Sequence, residues 1–299
     1  MTQHSFPDRV ALATDLSHRC DRALDRAVLV AKEWQAELTV IHALPEHDEV
    51  SLFGRVYDVP SWRRPPDPGR RIRDRLYRDL VREDPEVEVA VHVETGAPAA
   101  VVLKAASEAK AGLIITGVAR DELLARMLLG DTVDRLIRKS SMPILIVRDR
   151  AFDPYRHMLV ATDFSESSRV ALETAIRFFP DAGISLFHAY DVPFAGYLGR
   201  SEVETQFKDY GRDAADKFLQ EAGLAPDQVG HVSRMIEHGV PEALLRDYAE
   251  NSRRHLTVVG THGGGLVFEA LIGSTARKII DAVPGDVLLV PDPHKRKPD

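Results

Sequence analysis

Leu256-Thr257-Val258-Val259-Gly260-Thr261-His262-Gly263 is followed, after nine residues, by Gly273-Ser274-Thr275-Ala276-Arg277-Lys278-Ile279-Ile280. The apolar run Leu256 to Val259 reads as a buried strand, and Gly260 ends it. From Ser274 onward the pattern reads as a helix with two hydroxyls in its first turn. Glycines permit positive φ and close approach of the backbone to a ligand. A helix start presents unpaired N–H groups and the positive end of the helix dipole. Glycines alone would only turn a loop, but strand, loop, helix start and hydroxyls together make a phosphate site. The stretch is not a P-loop, because no lysine follows Gly273, and it is not a dinucleotide GxGxxG motif.

The same pattern occurs twice. Leu113-Ile114-Ile115-Thr116-Gly117 matches Leu256 to Gly260, and Ile144 to Val147 matches Val287 to Val290, each pair 143 residues apart. Val10-Ala11-Leu12-Ala13-Thr14-Asp15-Leu16-Ser17 recurs 148 residues later as Met158-Leu159-Val160-Ala161-Thr162-Asp163-Phe164-Ser165. His42-Ala43 recurs as His188-Ala189, and Gly96-Ala97-Pro98 as Gly239-Val240-Pro241. The register changes fall between matched segments, where loops absorb insertions. The chain is therefore a tandem duplication, with domains at 1–150 and 151–299.

Within the first copy, strands are predicted near 9–14, 37–43, 87–93, 112–116 and 144–147. Helices are predicted near 17–34, 70–83, 98–110 and 132–140, with prolines 60, 65, 66 and 68 marking a loop before the second. This alternation predicts an α/β fold: two doubly wound, parallel, five-stranded sheets with helices on both faces. Strand order 3-2-1-4-5 sets Asp163, after the first strand, beside Gly260, after the fourth, where such sheets bind ligands. The linker, Arg148 to Pro154, is short enough for the halves to pack closely with pseudo-two-fold symmetry.

Composition bounds the function. The 299 residues carry a net charge of −7, which gives no general attraction to nucleic acid or an anionic membrane. Arginines between Arg63 and Arg78 are mixed with acids and read as a solvated helix face. The single cysteine, Cys20, excludes an intrachain disulfide and fits a reducing cytosol. It reads as an incidental helix residue, although basic neighbours His18 and Arg19 offer a way to lower its pKa. Residues 1–7 lack a signal-peptide core, and no apolar run is long enough to span a bilayer. The 12 histidines are scattered without metal-ligand spacing, so no structural metal is expected.

The spacing Gly260-x2-Gly263-x9-Gly273-Ser274 resembles the nucleotide-binding signature of the universal stress protein family, and the resemblance covers nearly the whole chain as two copies. It implies that the segment Ala161-Thr162-Asp163 contacts the nucleoside and that the backbone at Ala189 contacts adenine. It also implies that Gly260, Thr261, His262, Gly263, Gly273, Ser274 and Thr275 hold ribose and phosphates. In the family, last strands commonly pair across a dimer, and here Ile144–Val147 and Val287–Val290 are placed to pair within one chain. The residues themselves leave alternatives. Asp163 also suits a helix cap or turn. His188 suits a core packing position, and His262 suits solvent as well as phosphate or metal.

The two copies differ. No basic residue lies between Gly263 and Gly273, so neutralisation falls to backbone N–H groups, Arg277, Lys278 or Mg²⁺. In the first copy Arg120 replaces the second glycine and Asp131 replaces Ser274. Two like charges about 4 Å apart repel by up to roughly 4 kcal/mol at a surface-like dielectric. That is about a thousandfold in affinity, which pairing of Arg120 with Asp131 would only partly offset. The expected function is a cytoplasmic, regulatory stress protein binding ATP or AMP, with or without Mg²⁺, in its second half. No catalytic residues, protein-bound metal, nucleic acid or membrane partner is expected. A slow ATPase and a nucleotide-independent scaffold are the alternatives, and a homodimer is left open.

Overall fold

The computed structural model describes residues 6–16, 20–44, 51–52, 55–56, 68–81, 86–121, 126–190, 200–224, 226–251, 256–261 and 272–292. The chain divides into two compact units, Pro7–Gly117 and Val118–Asp299.

The first unit runs β1 (Arg9–Ala13), α1 (Asp21–Trp34), β2 (Glu37–Leu44), β3 (Ser51–Leu52), β4 (Arg55–Val56), α2 (Pro68–Val81), β5 (Val89–Thr95), α3 (Pro98–Glu108) and β6 (Leu113–Gly117). Strands β5, β2, β1 and β6 are hydrogen-bonded neighbours in that order, all parallel. Helix α1 buries Ala23, Arg26, Ala27, Val30, Ala31 and Trp34, a stripe at helical spacing. Proline occupies the first turn of α3, where its missing N–H costs nothing. On α2, Arg70, Asp74 and Arg78 are exposed while Leu76 is buried, a solvated face over an apolar stripe.

Helix α1 begins at Asp21 rather than near residue 17. Leu16 takes a left-handed φ of 62°, which helical continuation does not allow. Its N–H turns back to Thr14 Oγ1 (3.0 Å). The prolines at 60, 65 and 66 lie outside the described residues.

The second unit runs β7 (Ala119–Asp121), β8 (Arg126–Leu128), α4 (Asp131–Lys139), β9 (Ile144–Val147), β10 (His157–Ala161), α5 (Glu166–Phe178), β11 (Gly183–Tyr190), α6 (Arg200–Glu221), α7 (Pro226–His231), β12 (Ser233–His238), α8 (Pro241–Asn251), β13 (Leu256–Gly260), α9 (Ser274–Ala282) and β14 (Val287–Val290). Strands β12, β11, β10, β13 and β14 are parallel neighbours in that order. Strand β9 joins β14 antiparallel. Strands β9, β13 and β14 are buried at every residue, which agrees with their unbroken apolar runs. The division between units falls at Gly117/Val118, upstream of the repeat boundary, because β9 pairs with β14.

Two hairpins were not foreseen in the sequence. Strands β3 and β4 pair antiparallel, as do β7 and β8, in which Arg120 lies opposite Met127. The second of these lies in the first repeat between Gly117 and Gly130, the counterparts of Gly260 and Gly273.

Candidate functional site

The C-terminal ends of β10 and β13 lie side by side, with Val160 beside Val258. Ala161, Thr162 and Asp163 therefore leave the sheet next to Gly260 and Thr261. One strand further over, Thr162 N–H donates to Phe187 O of β11 (2.9 Å), and Ala189 follows two residues later in register with Glu237.

Each of these positions has a local reason. Phe164 repeats the left-handed turn of the first copy (φ 61°), with its N–H on Thr162 Oγ1 (2.8 Å). Thr162 Oγ1 also shares a hydrogen bond with Ser168 Oγ (2.9 Å), so its hydroxyl is committed to the start of α5. Asp163 is exposed, and its Oδ1 accepts Ser165 N–H (3.1 Å), the bond of an Asx turn. Ser165 in turn caps α5, accepting Ser168 N–H at 3.4 Å. His188 Nδ1 lies 2.9 Å from Thr162 O; a carbonyl only accepts, so Nδ1 carries the proton. Its ring packs on Phe164, with centroids 4.3 Å apart. His42 and Thr14 repeat the same bond in the first copy (2.9 Å).

Gly260 is a packing requirement. A Cβ there would stand 2.8 Å from both Ser167 O and Ser167 Oγ, so only glycine lets α5 lie on β13. Thr261 is 3% exposed and clamps the base of the loop. Its N–H donates to Val290 O (3.0 Å), its Oγ1 accepts Asp292 N–H (3.3 Å), and its carbonyl accepts Gly273 N–H (2.7 Å). Gly273 is the extended N-cap of α9 (φ −56°, ψ 143°), and Ser274 and Thr275 are exposed on the first turn. His262 and Gly263 lie outside the described residues. Asp163, Gly260, Thr261, Gly273, Ser274 and Thr275 thus share one end of the sheet.

The basic residues near this helix start are already engaged. Arg277 pairs with Asp134 of α4 and with Asp281 (3.1 Å), and Lys278 lies 3.5 Å from Glu242. Partial burial lowers the Arg277 pKa, but hydrogen bonds to Asp134 and Asp281 outweigh it and hold the value above the ordinary one. The two repeats differ most in charge. The first turn of α4 carries Asp131 and Asp134, whereas the first turn of α9 carries no acid. The side chain of Arg120 is outside the described residues.

Cys20 does not behave as an activated thiol. Burial pushes its pKa up to about 11, and Sγ donates to Asp15 Oδ1 (3.0 Å), so the basic neighbours in sequence do not prevail. Among the described residues no group of three or more His, Cys, Asp or Glu side chains converges as a metal site. No helix among them is long and apolar enough to cross a membrane.

Sequence reasoning missed the buried cluster of Arg148, Tyr155 and Asp286, in which Asp286 accepts Arg148 N–H (2.7 Å) and Tyr155 O–H (2.5 Å). The available signal was a charged residue abutting each of two apolar runs, Ile144–Val147 and Val287–Val290.

The universal stress protein family model matches residues 7–148 and again 154–291. The chain belongs to the universal stress protein family, as a tandem member. It is 32% identical over 156 residues to the universal stress protein YxiE of Bacillus subtilis, a match covering 47% of this chain and 99% of YxiE. It is 28% identical over 142 residues to universal stress protein MJ0531 of Methanocaldococcus jannaschii, covering 47% of this chain and 81% of that one. One copy here therefore corresponds to nearly a whole relative. A protein of unknown function from Pseudomonas aeruginosa, PA1789, shares the fold over 98% of this chain and 96% of its own, with a TM-score of 0.68 and 19% identity.

Proposed function

We propose that this protein binds an adenine nucleotide, ATP or AMP, in its second repeat (151–299) and acts as a cytoplasmic, nucleotide-responsive regulator, with the first repeat (1–150) as a non-binding half. The observation that carries this reading is the contrast between two equivalent helix starts. The first turn of α9 opens without an acid and follows an extended glycine, so its N–H groups and dipole face a phosphate without competition. The first turn of α4 is already occupied by two carboxylates, and the segment before it is folded into the β7–β8 hairpin.

The surrounding residues support roles for the rest of the site. Asp163, at the end of β10, is the side chain for the nucleoside, held by Ser165 N–H yet exposed. The backbone at Ala189 suits the adenine, and Gly260 and Thr261, with His262 and Gly263 next in sequence, suit the ribose and phosphates. Ser274 and Thr275 supply hydroxyls for phosphate. Because Arg277 and Lys278 are held by acids, charge balance falls to backbone N–H groups and Mg²⁺.

Isothermal titration of the full chain with ATP and with AMP, each with and without Mg²⁺, tests the proposal. One site per chain is expected, and Ser274→Asp, which copies the residue found at Asp131, is expected to abolish it. An acid is well tolerated at a helix start, so that variant keeps the fold. Two sites per chain, or a Ser274→Asp variant that binds as tightly as the parent, would sink the assignment.

A further inference from the structure

Four rings follow one another across the C-terminal end of the second repeat's sheet. Phe164, in the turn after β10, packs on His188 of β11, with centroids 4.3 Å apart. Two residues along β11, Tyr190 projects from the same face as His188, because side chains alternate along a strand. Tyr190 is in register with His238 of β12, and their ring centroids lie 5.7 Å apart at an interplanar angle of 57°. Ala189, whose backbone suits the adenine, stands between His188 and Tyr190 in the strand.

The fold does not require this row. In the first repeat the counterparts of Phe164, Tyr190 and His238 are Leu16, Leu44 and Thr95, and only the histidine is kept, as His42. Leu44 is in register with Thr95 as Tyr190 is with His238. The backbone is the same in both repeats: Gly96 N–H donates to Leu44 O (3.0 Å) and Gly239 N–H to Tyr190 O (3.0 Å). Gly96 and Gly239 both take positive φ, 151° and 139°. One backbone thus carries a leucine and a threonine in the repeat read as non-binding, and two rings in the repeat read as binding. His238 is exposed and Tyr190 half-buried, so neither ring is sealed in the core. Two rings held at an angle suit a flat base, which stacks on one and meets the other edge-on.

We propose that Tyr190 and His238 form the wall of the second repeat that grips the base of the nucleotide, with the Tyr190 ring stacking on it. The inference rests on the nucleotide reading above and adds residues that neither the glycine signature nor the Asp163 segment contains. Arg277 and Lys278 are held by acids, so the phosphates meet mainly backbone N–H groups and the base becomes a main source of affinity.

Isothermal titration of the full chain with ATP and with inorganic tripolyphosphate tests this, using Tyr190→Leu, His238→Thr and the double variant beside the parent. Each change copies a residue that the first repeat already carries on this backbone, so the fold is kept, and an unchanged Tm checks that. ATP affinity is expected to fall about tenfold with Tyr190→Leu, in the lower part of the range for losing one base–aromatic stack, and further in the double variant. Tripolyphosphate affinity is expected to stay the same. Tyr190→Phe keeps the ring and is expected to bind ATP as the parent does. A double variant that binds ATP as tightly as the parent, or that loses ATP and tripolyphosphate alike, would overturn the wall. So would a parent that binds tripolyphosphate as tightly as ATP. Should the parent bind ATP but no tripolyphosphate, the comparison of Tyr190→Leu with Tyr190→Phe decides alone. A parent that binds neither removes the nucleotide site itself, and the wall with it.

Discussion

Gly260 shows how one residue serves packing and site geometry together. A methyl group added there meets the backbone of Ser167, which cannot move without displacing α5. Gly260→Ala is therefore expected to cost about 1–3 kcal/mol, the range for overpacking a filled core. Gly230 in α7 has nothing within 4 Å of the added atom, so Gly230→Ala should not destabilise. Urea denaturation of the two variants side by side checks the contrast. His157 is a residue whose titration bears on stability near neutral pH. Burial lowers its pKa, and its Nε2 lies 2.8 Å from Ser185 Oγ. The folded state thus holds the proton less well than the unfolded chain, whose histidine titrates near 6.5. Stability should fall as pH drops through about 6.5 and level off below the folded value. His157→Asn should flatten that part of a Tm-against-pH curve, and an unchanged curve would remove His157 as the cause.

At the scale of elements, what matters is how each helix starts. Helix α5 begins with Ser165, whose Oγ accepts Ser168 N–H, and Ser165→Ala should cost about 1 kcal/mol. Chemical denaturation of the variant measures this directly. Alanine keeps the Ser165 N–H that holds Asp163, so under the proposed function the variant is expected to bind ATP at one site with its affinity little changed. Helices α4 and α9 begin alike, after an extended glycine, and differ in the charge that follows. In the proposed function, that difference in charge, together with the β7–β8 hairpin before α4, separates the two helix starts.

For the whole molecule, the last strand of the first repeat belongs to the compact unit that holds the second repeat. Strand β9 pairs with β14, and the polypeptide just beyond it is anchored by Asp286. Tyr155 donates to Asp286 at 2.5 Å, so Tyr155→Phe removes one bond to a buried carboxylate. The expected loss is about 1.5–3 kcal/mol, read by calorimetry. A variant as stable as the parent would show that the two backbone donors satisfy Asp286 by themselves.

The sequence by itself determined the duplication, the alternation of strands and helices, and the family, because each is written in local patterns: apolar runs, a proline in a helix's first turn, and glycines at strand ends. It also showed that Asp131 stands where Ser274 does, since counterparts can be compared without coordinates. It read Gly260 as a loop residue near a ligand, whereas the fold showed why glycine is required there, through Ser167 of a helix distant in sequence. Only the tertiary structure decided that Arg277 is held by Asp134, that a hairpin follows Gly117, and that Arg148 closes the end of α9. These contacts join positions more than a hundred residues apart or depend on the conformation of a single turn, and no local periodicity encodes either.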